Sequence, residues 1–338
     1  MKTIVFFNNK GGVGKTTLAC NLVAYLSTEM NKRVLLIDAD PQCNATQAML
    51  ADDVCEDIYF NADSTIKTLY SYLRPLELGE PTIKKNIIPI IGTANRYHTD
   101  LIPGHPSMSI VEDILSDGWA SLKAREIRGY RITNWCNHLT ESLADRYDYI
   151  IFDVGPSLGA LNRSIILSCD YIVTPFGCDI FSLLGIMNIH QWILKWKSDY
   201  DSSINELILK QPKIITEFNI IKDTNQKFRF AGYSVQQYVT RKFKDGPRPV
   251  KSYDAIMKDI PRFVEDSMRK LSKKELDLEL GHIPYVYSLI PMAQTAKSPI
   301  FLLNNSDGLV GSQYAQVASF KELMKDICHK LIKNIGDL

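Results

Sequence analysis

The sequence of 338 residues lacks several features that would assign it to a special class of protein. No apolar run approaches the roughly 18 residues that a membrane-spanning helix requires, and no internal repeat or low-complexity segment is found. Lys and Arg total 39 against 38 Asp and Glu, so the formal net charge is only +1. Overall charge therefore gives no argument for a nucleic-acid partner, and any such site would have to be a local basic patch.

The cysteines and histidines exclude further kinds of site. The seven cysteines are an odd number and contain no C-x-x-C pair, which argues against a disulfide framework or a structural zinc site. Free thiols are typical of a reducing compartment, and we expect a cytoplasmic protein. The apolar start of the chain stops at Asn8, which is too short for the hydrophobic core of a secretory signal. The six histidines show no metal-ligand spacing.

Short apolar runs alternate with amphipathic segments of helical length. The expected strands are Thr3–Phe7, Arg33–Ile37, Thr99–Ile102, Tyr149–Phe152, Tyr171–Thr174, Tyr233–Tyr238 and His282–Pro284. The expected helices are Lys15–Thr28, Ile132–Asp145, Leu158–Ser168, Ser182–Lys197, Tyr253–Leu271 and Gln313–Ile335. This alternation predicts an α/β fold, a mainly parallel, doubly wound sheet with helices on both faces. We expect one domain over residues 1–338, with insertions at about 51–97 and 197–228.

A glycine-rich run follows the first expected strand and leads into the first expected helix. This is the context of a phosphate-binding loop, in which glycines let successive backbone N–H groups point at phosphate oxygens. Lys15 would hold the β- and γ-phosphates, and the Thr16 hydroxyl would ligate Mg²⁺. The candidate nucleotide-binding residues are Gly11, Gly12, Val13, Gly14, Lys15, Thr16 and Thr17.

Three aspartates follow two other expected strands. Asp38 and Asp40 are the first and third residues after the second strand, and Asp153 comes directly after the run Tyr149–Phe152. The carboxyl ends of strands in an open α/β sheet face the ligand crevice. A single carboxylate delivered by an apolar strand suits an outer-shell contact to Mg²⁺, which is the role we expect for Asp153.

These motifs resemble those of the ParA/MinD family of ATPases. The strict P-loop pattern would place its first glycine at Asn9, whereas the run Lys10–Thr16 resembles the deviant Walker A motif of that family. The run Asp38–Gln42 is similar to the family's switch I, and Asp153–Ser157 is similar to its Walker B and switch II, with Gly155 where the family usually has proline. The resemblance covers roughly residues 1–50, 98–195 and 229–335.

The resemblance implies a function and roles for individual residues. It implies a Mg²⁺-dependent ATPase in which Asp38 supports the metal and Asp40 orients or deprotonates the attacking water. Lys10 would act on the nucleotide of a partner in an ATP-bound homodimer, where a second cation neutralises charge in phosphoryl transfer. The adenine would lie near Gln236 and Pro284, and a partner protein would stimulate hydrolysis.

The surface on which this switch acts is left open by the motifs. The basic residues Arg241, Lys242, Lys244, Arg248 and Lys251 lie where the family binds DNA without sequence preference, which favours a ParA-like partition or positioning ATPase. A MinD-like membrane cycle is the alternative, because apolar positions between Phe320 and Ile332 form one stripe of a terminal helix. A regulatory ATPase of a defence system is a further alternative. The cargo is not defined by the sequence.

Overall fold

The computed structural model describes residues 1–225, 227–238, 240–243, 246–249, 251–273 and 275–337, and the side chains of 237–238, 240–243, 246–249 and 251–254 are outside that description. The strands are β1 (Lys2–Phe6), β2 (Val34–Asp38), β3 (Asp100–Ile102), β4 (Tyr149–Asp153), β5 (Tyr171–Gly177), β6 (Arg229–Tyr238), β7 (Thr240–Phe243), β8 (Gly246–Pro249) and β9 (Glu279–Pro284). Of these, β7 and β8 pair as an antiparallel hairpin and the other seven form the main sheet.

The helices connect these strands along the chain. They are α1 (Lys15–Thr28), α2 (Asn44–Met49), α3 (Asp52–Phe60), α4 (Leu69–Glu77), α5 (Met108–Lys123), α6 (Ile127–Thr133), α7 (Trp135–Glu141), α8 (Ala160–Ser168), α9 (Ile180–Lys210), α10 (Lys213–Glu217), α11 (Lys251–Asp266), α12 (Leu289–Ala296) and α13 (Gln313–Ile335). Short 3-10 helices are Gly92–Ala94, Met268–Leu271, Ile300–Leu302 and Asn305–Asp307.

The main sheet has the strand order β3-β2-β4-β1-β5-β6-β9, and its seven strands are parallel. The order reverses direction around β1, which lies between β4 and β5. Such a switch point is where ligands bind in open α/β sheets. The pairing register sets Asp38 of β2 opposite Asp153 of β4, so two of the expected metal-site aspartates are neighbours across the sheet.

Hydrophobic cores lie on both faces of the sheet, as alternation along β1 shows. Val5 and Phe7 belong to a core built with α5, α7, α8 and α9, whereas Ile4 and Phe6 belong to a core built with α1 and α13. All four side chains are fully buried. The predicted α/β class, with a parallel sheet covered by helices on both faces, is therefore confirmed.

Several predicted elements have different bounds. The predicted helix 132–145 is replaced by α6 and α7, because the chain turns at Asn134, whose side chain donates to the carbonyl of Tyr130 at 2.8 Å. The predicted helix 182–197 is the much longer α9, which starts at Ile180 because Asp179 caps its first turn. Helix α5 and the hairpin of β7 and β8 were not predicted.

The elements of the predicted insertions are mostly helical. Residues 51–97 hold α3, α4 and a 3-10 helix, and residues 197–228 hold the last part of α9 and α10. Leu69 and Leu73 of α4 are fully buried in the core that α5 and α9 also line. The division into one domain with two insertions stays a prediction.

The apolar stripe near the end of the chain packs against the protein's own sheet. Phe320, Met324, Ile327, Leu331 and Ile332 of α13 are buried in the core that also contains α1. These side chains are therefore not free to insert into a bilayer in this conformation, which removes the main support for the membrane-cycling alternative. Among the described residues, no helix is long and apolar enough to cross a membrane.

Candidate functional site

The glycine-rich loop leaves its backbone open toward a cavity at the switch point of the sheet. Gly12 and Gly14 have left-handed backbone angles, with φ of 72° and 76°, which favour glycine. A Cβ at Gly11 or Gly12 would meet no described atom within 4 Å. Gly14 is the N-cap of α1 and has no side chain to occupy the N–H groups of the first turn. These groups can therefore bind an anion.

A buried carboxylate faces this loop from the end of β4. The Thr16 hydroxyl donates a 2.6 Å hydrogen bond to Asp153 Oδ2, and the Lys15 ammonium lies 3.9 Å from Asp153 Oδ1. Within the described residues, Asp153 Oδ1 is buried and accepts no hydrogen bond. Burial raises the pKa of Asp153, whereas the charge of Lys15 and the hydrogen bond from Thr16 oppose that shift. A buried carboxylate with an unused oxygen is a site that needs a cation.

The second carboxylate, Asp38, is held from α2. Its Oδ2 accepts from the Thr46 amide at 2.8 Å and from the Thr46 hydroxyl at 2.7 Å, while its Oδ1 accepts from the Asp40 amide at 3.2 Å. Burial, aided by the charge of Asp153, raises the pKa of Asp38 to about 7. Two facing buried carboxylates disfavour each other's charged form, and a divalent cation between them would relieve this repulsion.

The residues present fit Mg²⁺ bound together with a nucleotide. Among the described residues, no group of three or more His, Cys, Asp or Glu side chains is arranged to hold a metal by itself. Mg²⁺ usually takes one or two protein oxygens and completes its shell with water and substrate phosphates. Thr16, Asp153 and Asp38 offer that kind of partial shell beside the phosphate loop.

Asp40 lies next to the switch II segment, which we define as residues 154–159. Its side chain is 4% exposed, and its Oδ1 accepts from the Gln42 amide at 3.0 Å. A Cβ built on Gly155 would lie 3.2 Å from Asp40 Oδ1. The glycine at this position therefore allows the switch II backbone to approach the Asp40 carboxylate closely, which a proline or another side chain would hinder.

Lys10 is fixed at the edge of the loop by two neighbours. Its amide donates to Asn8 Oδ1 at 3.0 Å, and Asn8 in turn donates to the carbonyl of Pro175 at 2.7 Å. Its ammonium forms an ion pair with Asp179, which also accepts from the Ser182 amide at the start of α9. Both side chains of the pair are more than one-third exposed, so Lys10 can exchange this partner for another anion.

The loop and switch I line a cavity of about 500 Å³, a size typical of small-ligand sites. Part of its lining is the phosphate loop with Asp40 and Pro156. Another part, which we call the α12 wall, consists of Tyr97, Ile290, Ala293, Gln294, Lys297 and Ile300. The cavity therefore combines phosphate-binding groups with a mostly apolar wall.

Gln236 and Pro284 do not line this cavity, so the structure does not bring the two expected adenine contacts to the site. Gln236 is 3% exposed and donates to the Ser234 hydroxyl at 2.7 Å within β6. The α12 wall of the cavity includes residues of α12 and also Tyr97, from the predicted insertion 51–97. The sequence signal for this wall is the short apolar run at 289–293, which lies beyond the last expected strand.

Two ion pairs involve a residue of the α12 wall or a neighbour of one. Lys297 donates to the carbonyl of Gln47 at 2.9 Å and pairs with Asp52 at 2.7 Å. Arg96, next to Tyr97, forms two hydrogen bonds of 2.7 and 2.9 Å with Asp307. Residues of the 51–97 segment are therefore tied to the segment that follows β9.

Four of the five basic residues proposed for DNA binding lie on or next to the β7–β8 hairpin. Arg241 pairs with Arg248 in its register, and α11 begins at Lys251. Lys242 belongs to β7, and Lys244 lies outside the described residues. For the other four residues the structure describes the backbone and not the side chains. The assignment of the five residues to DNA therefore stays a prediction.

A parallel sheet with a glycine-rich loop, a following lysine and threonine, and a strand-end aspartate defines a P-loop NTPase. Comparison with known proteins agrees. A family model described as an AAA domain matches residues 1–206. The chain is 31% identical over 188 residues to the chromosome partitioning protein ParA of Myxococcus xanthus and 32% identical over 190 residues to the sporulation initiation inhibitor protein Soj of Bacillus subtilis. The chain therefore belongs to this AAA domain family and is a P-loop NTPase of the ParA/MinD type.

The matches to these two relatives are partial. Each covers 56% of this chain, and they cover 56% of the ParA and 63% of the Soj sequence. A crystal structure of a protein from Corynebacterium diphtheriae matches 99% of both chains with 30% identity and a TM-score of 0.76. The structure of pNOB8 ParA bound to nonspecific DNA matches 99% of this chain and 98% of that chain at 21% identity and a TM-score of 0.55, which shows a common fold.

Proposed function

We propose that this chain binds and hydrolyses Mg²⁺-ATP and that the ATP-bound form dimerises in a switch used for DNA partition or cargo positioning. The observation that carries the proposal is the hydrogen bond from Thr16 to the buried Asp153. It lies close to Lys15 in the phosphate loop, which lines a cavity of about 500 Å³. These residues supply the cationic and metal-binding groups that phosphoryl transfer needs.

The positions of the side chains support a role for each of them. Mg²⁺, when bound with the nucleotide, would neutralise phosphate charge. Thr16 and Asp153 would hold the metal and Asp38 would support its shell, while Lys15 would bind the β- and γ-phosphates. Asp40, buried beside switch II at the cavity, would orient or deprotonate the attacking water. The α12 wall of the cavity would bind the base.

The proposed dimer uses the surface around Lys10. Helix α9 starts directly after Asp179, the ion-pair partner of Lys10, and its first two turns carry Ile180, Phe181, Leu184 and Met187, which are between 37% and 68% exposed. Exposed apolar clusters of this kind are typical of protein interfaces. A second copy packed on this surface would exclude water from the cavity mouth and bring each Lys10 toward the partner's phosphates.

Nonspecific DNA is the surface that we propose for the ATP-bound dimer. The support is a group of basic residues in the sequence, Arg241, Lys242, Lys244, Arg248 and Lys251, of which all but Lys244 lie on or next to a two-stranded hairpin. A relative of the same fold, pNOB8 ParA, has been solved bound to nonspecific DNA. Phosphate contacts of Lys and Arg position a protein on DNA without reading its sequence. A stimulating partner protein completes the proposed cycle.

Phosphate release from ATP by the purified chain tests the proposed reaction. We expect turnover in the presence of Mg²⁺ and loss of turnover when EDTA is added, with the Lys15→Ala variant as the inactive control. Turnover that persists in the Lys15→Ala protein would assign the activity to a contaminant. The protein could instead bind labelled ATP tightly and release no phosphate, with or without DNA. That result would show nucleotide binding and would reject the hydrolytic cycle.

A further inference from the structure

Helix α5 contacts the backbone that follows switch II through a single carboxylate. Glu112 Oε1 accepts from the Ala160 amide at 2.5 Å, and Glu112 Oε2 accepts from the Leu161 amide at 2.9 Å. Free N–H groups at a helix start favour a negative charge, and here α5 supplies it to α8. A Cβ on Gly159 would overlap Glu112 Oε1, so glycine at 159 is required for this approach.

The first turn of α8 in turn holds switch II. The Asn162 side-chain amide donates to the carbonyl of Gly155 at 2.8 Å and to that of Ser157 at 2.7 Å. Asn162 is 3% exposed. Because Gly155 packs against the Asp40 carboxylate, the position of α8 determines how closely switch II approaches Asp40.

The loop before α5 contacts switch I. The Gly104 amide donates to the Thr46 hydroxyl at 2.9 Å, and the same hydroxyl donates to Asp38 at 2.7 Å. The chain enters α5 shortly afterwards, where the Met108 amide donates to the carbonyl of His105 at 2.9 Å. One helix and its leading loop therefore reach both switch regions indirectly. Gly104 reaches Asp38 of switch I through Thr46, and Glu112 reaches switch II through the first turn of α8.

We propose that Glu112 is a positioning residue for hydrolysis, which acts on Asp40 through α8 and switch II. The proposal rests on the proposed ATPase function. With Glu112 in place, the Gly155 backbone is held against the Asp40 carboxylate. Without it, the start of α8 loses its counter-charge and switch II gains freedom, so Asp40 spends less time in line with the attacking water. A misplacement of about 1 Å is enough to reduce a rate by roughly 100-fold.

The fold does not depend on Glu112 alone. Val111, Leu115 and Trp119 of α5 are buried in the core shared with α8 and α9. The Arg163 guanidinium of α8 lies 4.6 Å from the centre of the Trp119 ring, and this cation–π contact is a second tie between the same two helices. We therefore expect a Glu112→Ala protein to fold.

Kinetics of Glu112 variants test the proposal. We expect Glu112→Ala to lower kcat about tenfold or more, while the Kd for a fluorescent ATP analogue stays within about twofold. Glu112→Gln keeps an amide oxygen as acceptor and should restore part of kcat. The matched control is Asp113→Ala, which removes the same charge from the exposed neighbouring position and should behave as the wild type. An unchanged kcat in Glu112→Ala, or equal losses of kcat, ATP affinity and thermal stability, would overturn the proposal.

Hydrogen exchange separates this inference from the ATPase proposal. In protein loaded with Mg²⁺ and a nonhydrolysable ATP analogue, amides of residues 154–162 should exchange at least about tenfold faster in Glu112→Ala than in wild type or Asp113→Ala. One possible result is that Glu112→Ala exchanges faster while the wild type releases no phosphate. This result would support the effect of Glu112 on switch II and would reject the ATPase. Equal exchange in all three proteins would reject the role of Glu112 whatever the ATPase assay shows.

Discussion

The hydroxyl of Thr16 donates to Asp153 at 2.6 Å, which joins the start of α1 to the end of β4. The bond uses one carboxylate oxygen, whereas the other is buried near Lys15 and accepts no hydrogen bond within the described residues. The residue that would ligate Mg²⁺ is therefore already hydrogen-bonded to the carboxylate that would support the metal. Thr16 and Asp153 would hold the metal together, because a hydroxyl can offer a lone pair to a cation while it donates its proton to a carboxylate.

Replacing Lys15 by Ala should abolish productive nucleotide binding. Lys15 is 8% exposed and lies beside the phosphate loop, so its removal leaves buried phosphate charge without its main cation. Hydrogen bonds to charged groups are worth about 1.5–3 kcal/mol, and we expect ATP affinity to fall about 10- to 100-fold or more. Calorimetric titration with ATP measures this. Affinity within a factor of two of the wild type would reject the phosphate-loop assignment.

Replacing Thr16 by Val should affect Mg²⁺ more than ATP. Valine keeps the shape of threonine but removes the hydroxyl that contacts Asp153 and would bind the metal. We expect the Mg²⁺ concentration for half-maximal hydrolysis to rise about tenfold, with Thr16→Ser close to wild type as the matched control. A titration of Mg²⁺ at saturating ATP distinguishes the variants. The same Mg²⁺ requirement in Thr16→Val and wild type would remove Thr16 from the metal site.

The phosphate end of the site was predictable because its residues follow one another along the chain. The run from Lys10 to Thr17 and the strand-end aspartates carry their geometry in local sequence, and parallel pairing then sets Asp38 opposite Asp153. The class of fold was predictable for the same reason, because the spacing of apolar residues along the chain distinguishes strands from helices. The contribution of Glu112 was not predictable, because it depends on how α5 packs on α8.

Replacing Lys10 by Ala should separate ATP binding from dimerisation. Lys10 pairs with Asp179 at the cavity edge, outside the buried contacts of Lys15. We therefore expect ATP affinity to change by less than about threefold, while ATP-dependent dimerisation and hydrolysis are lost. Lys85→Ala removes an exposed lysine distant in sequence from the loop and serves as the control. Wild-type dimerisation of the Lys10→Ala protein would contradict the action of Lys10 across the dimer.

Reversing charge at Arg241 and Lys244 tests the DNA surface. We expect the double change to Glu to weaken binding equally across duplex sequences and to leave ATP hydrolysis unchanged. The salt dependence should also flatten by about 0.9 log units per log of salt for each phosphate that the variant no longer neutralises. Lys84→Glu with Lys85→Glu alters net charge equally at two exposed positions and controls for bulk charge. Equal affinity loss in both double variants would reject a local site.

The α12 wall, which we propose for the base, was harder to assign because it is assembled from distant segments. Tyr97 and the residues of α12 lie far apart in the sequence, and their segments are joined by contacts such as Arg96 with Asp307. The sequence directed attention to Gln236 and Pro284, which lie on neighbouring strands but are not part of the cavity lining. This wall forms because the segment after β9 packs against the 51–97 segment. Such packing between distant segments cannot be predicted from the local pattern of apolar and polar residues.

The mass of the Asp40→Ala protein in Mg²⁺-ATP tests the central claim of an ATP-driven dimer most directly. We propose that Asp40 acts on the attacking water, so its loss should preserve binding and slow hydrolysis by about 10²–10⁴-fold, which traps the ATP state. Sedimentation should then give about twice the chain mass of 38.4 kDa with ATP and the single-chain mass with ADP. A protein that holds one ATP per chain yet sediments at 38.4 kDa at micromolar concentration would contradict the switch.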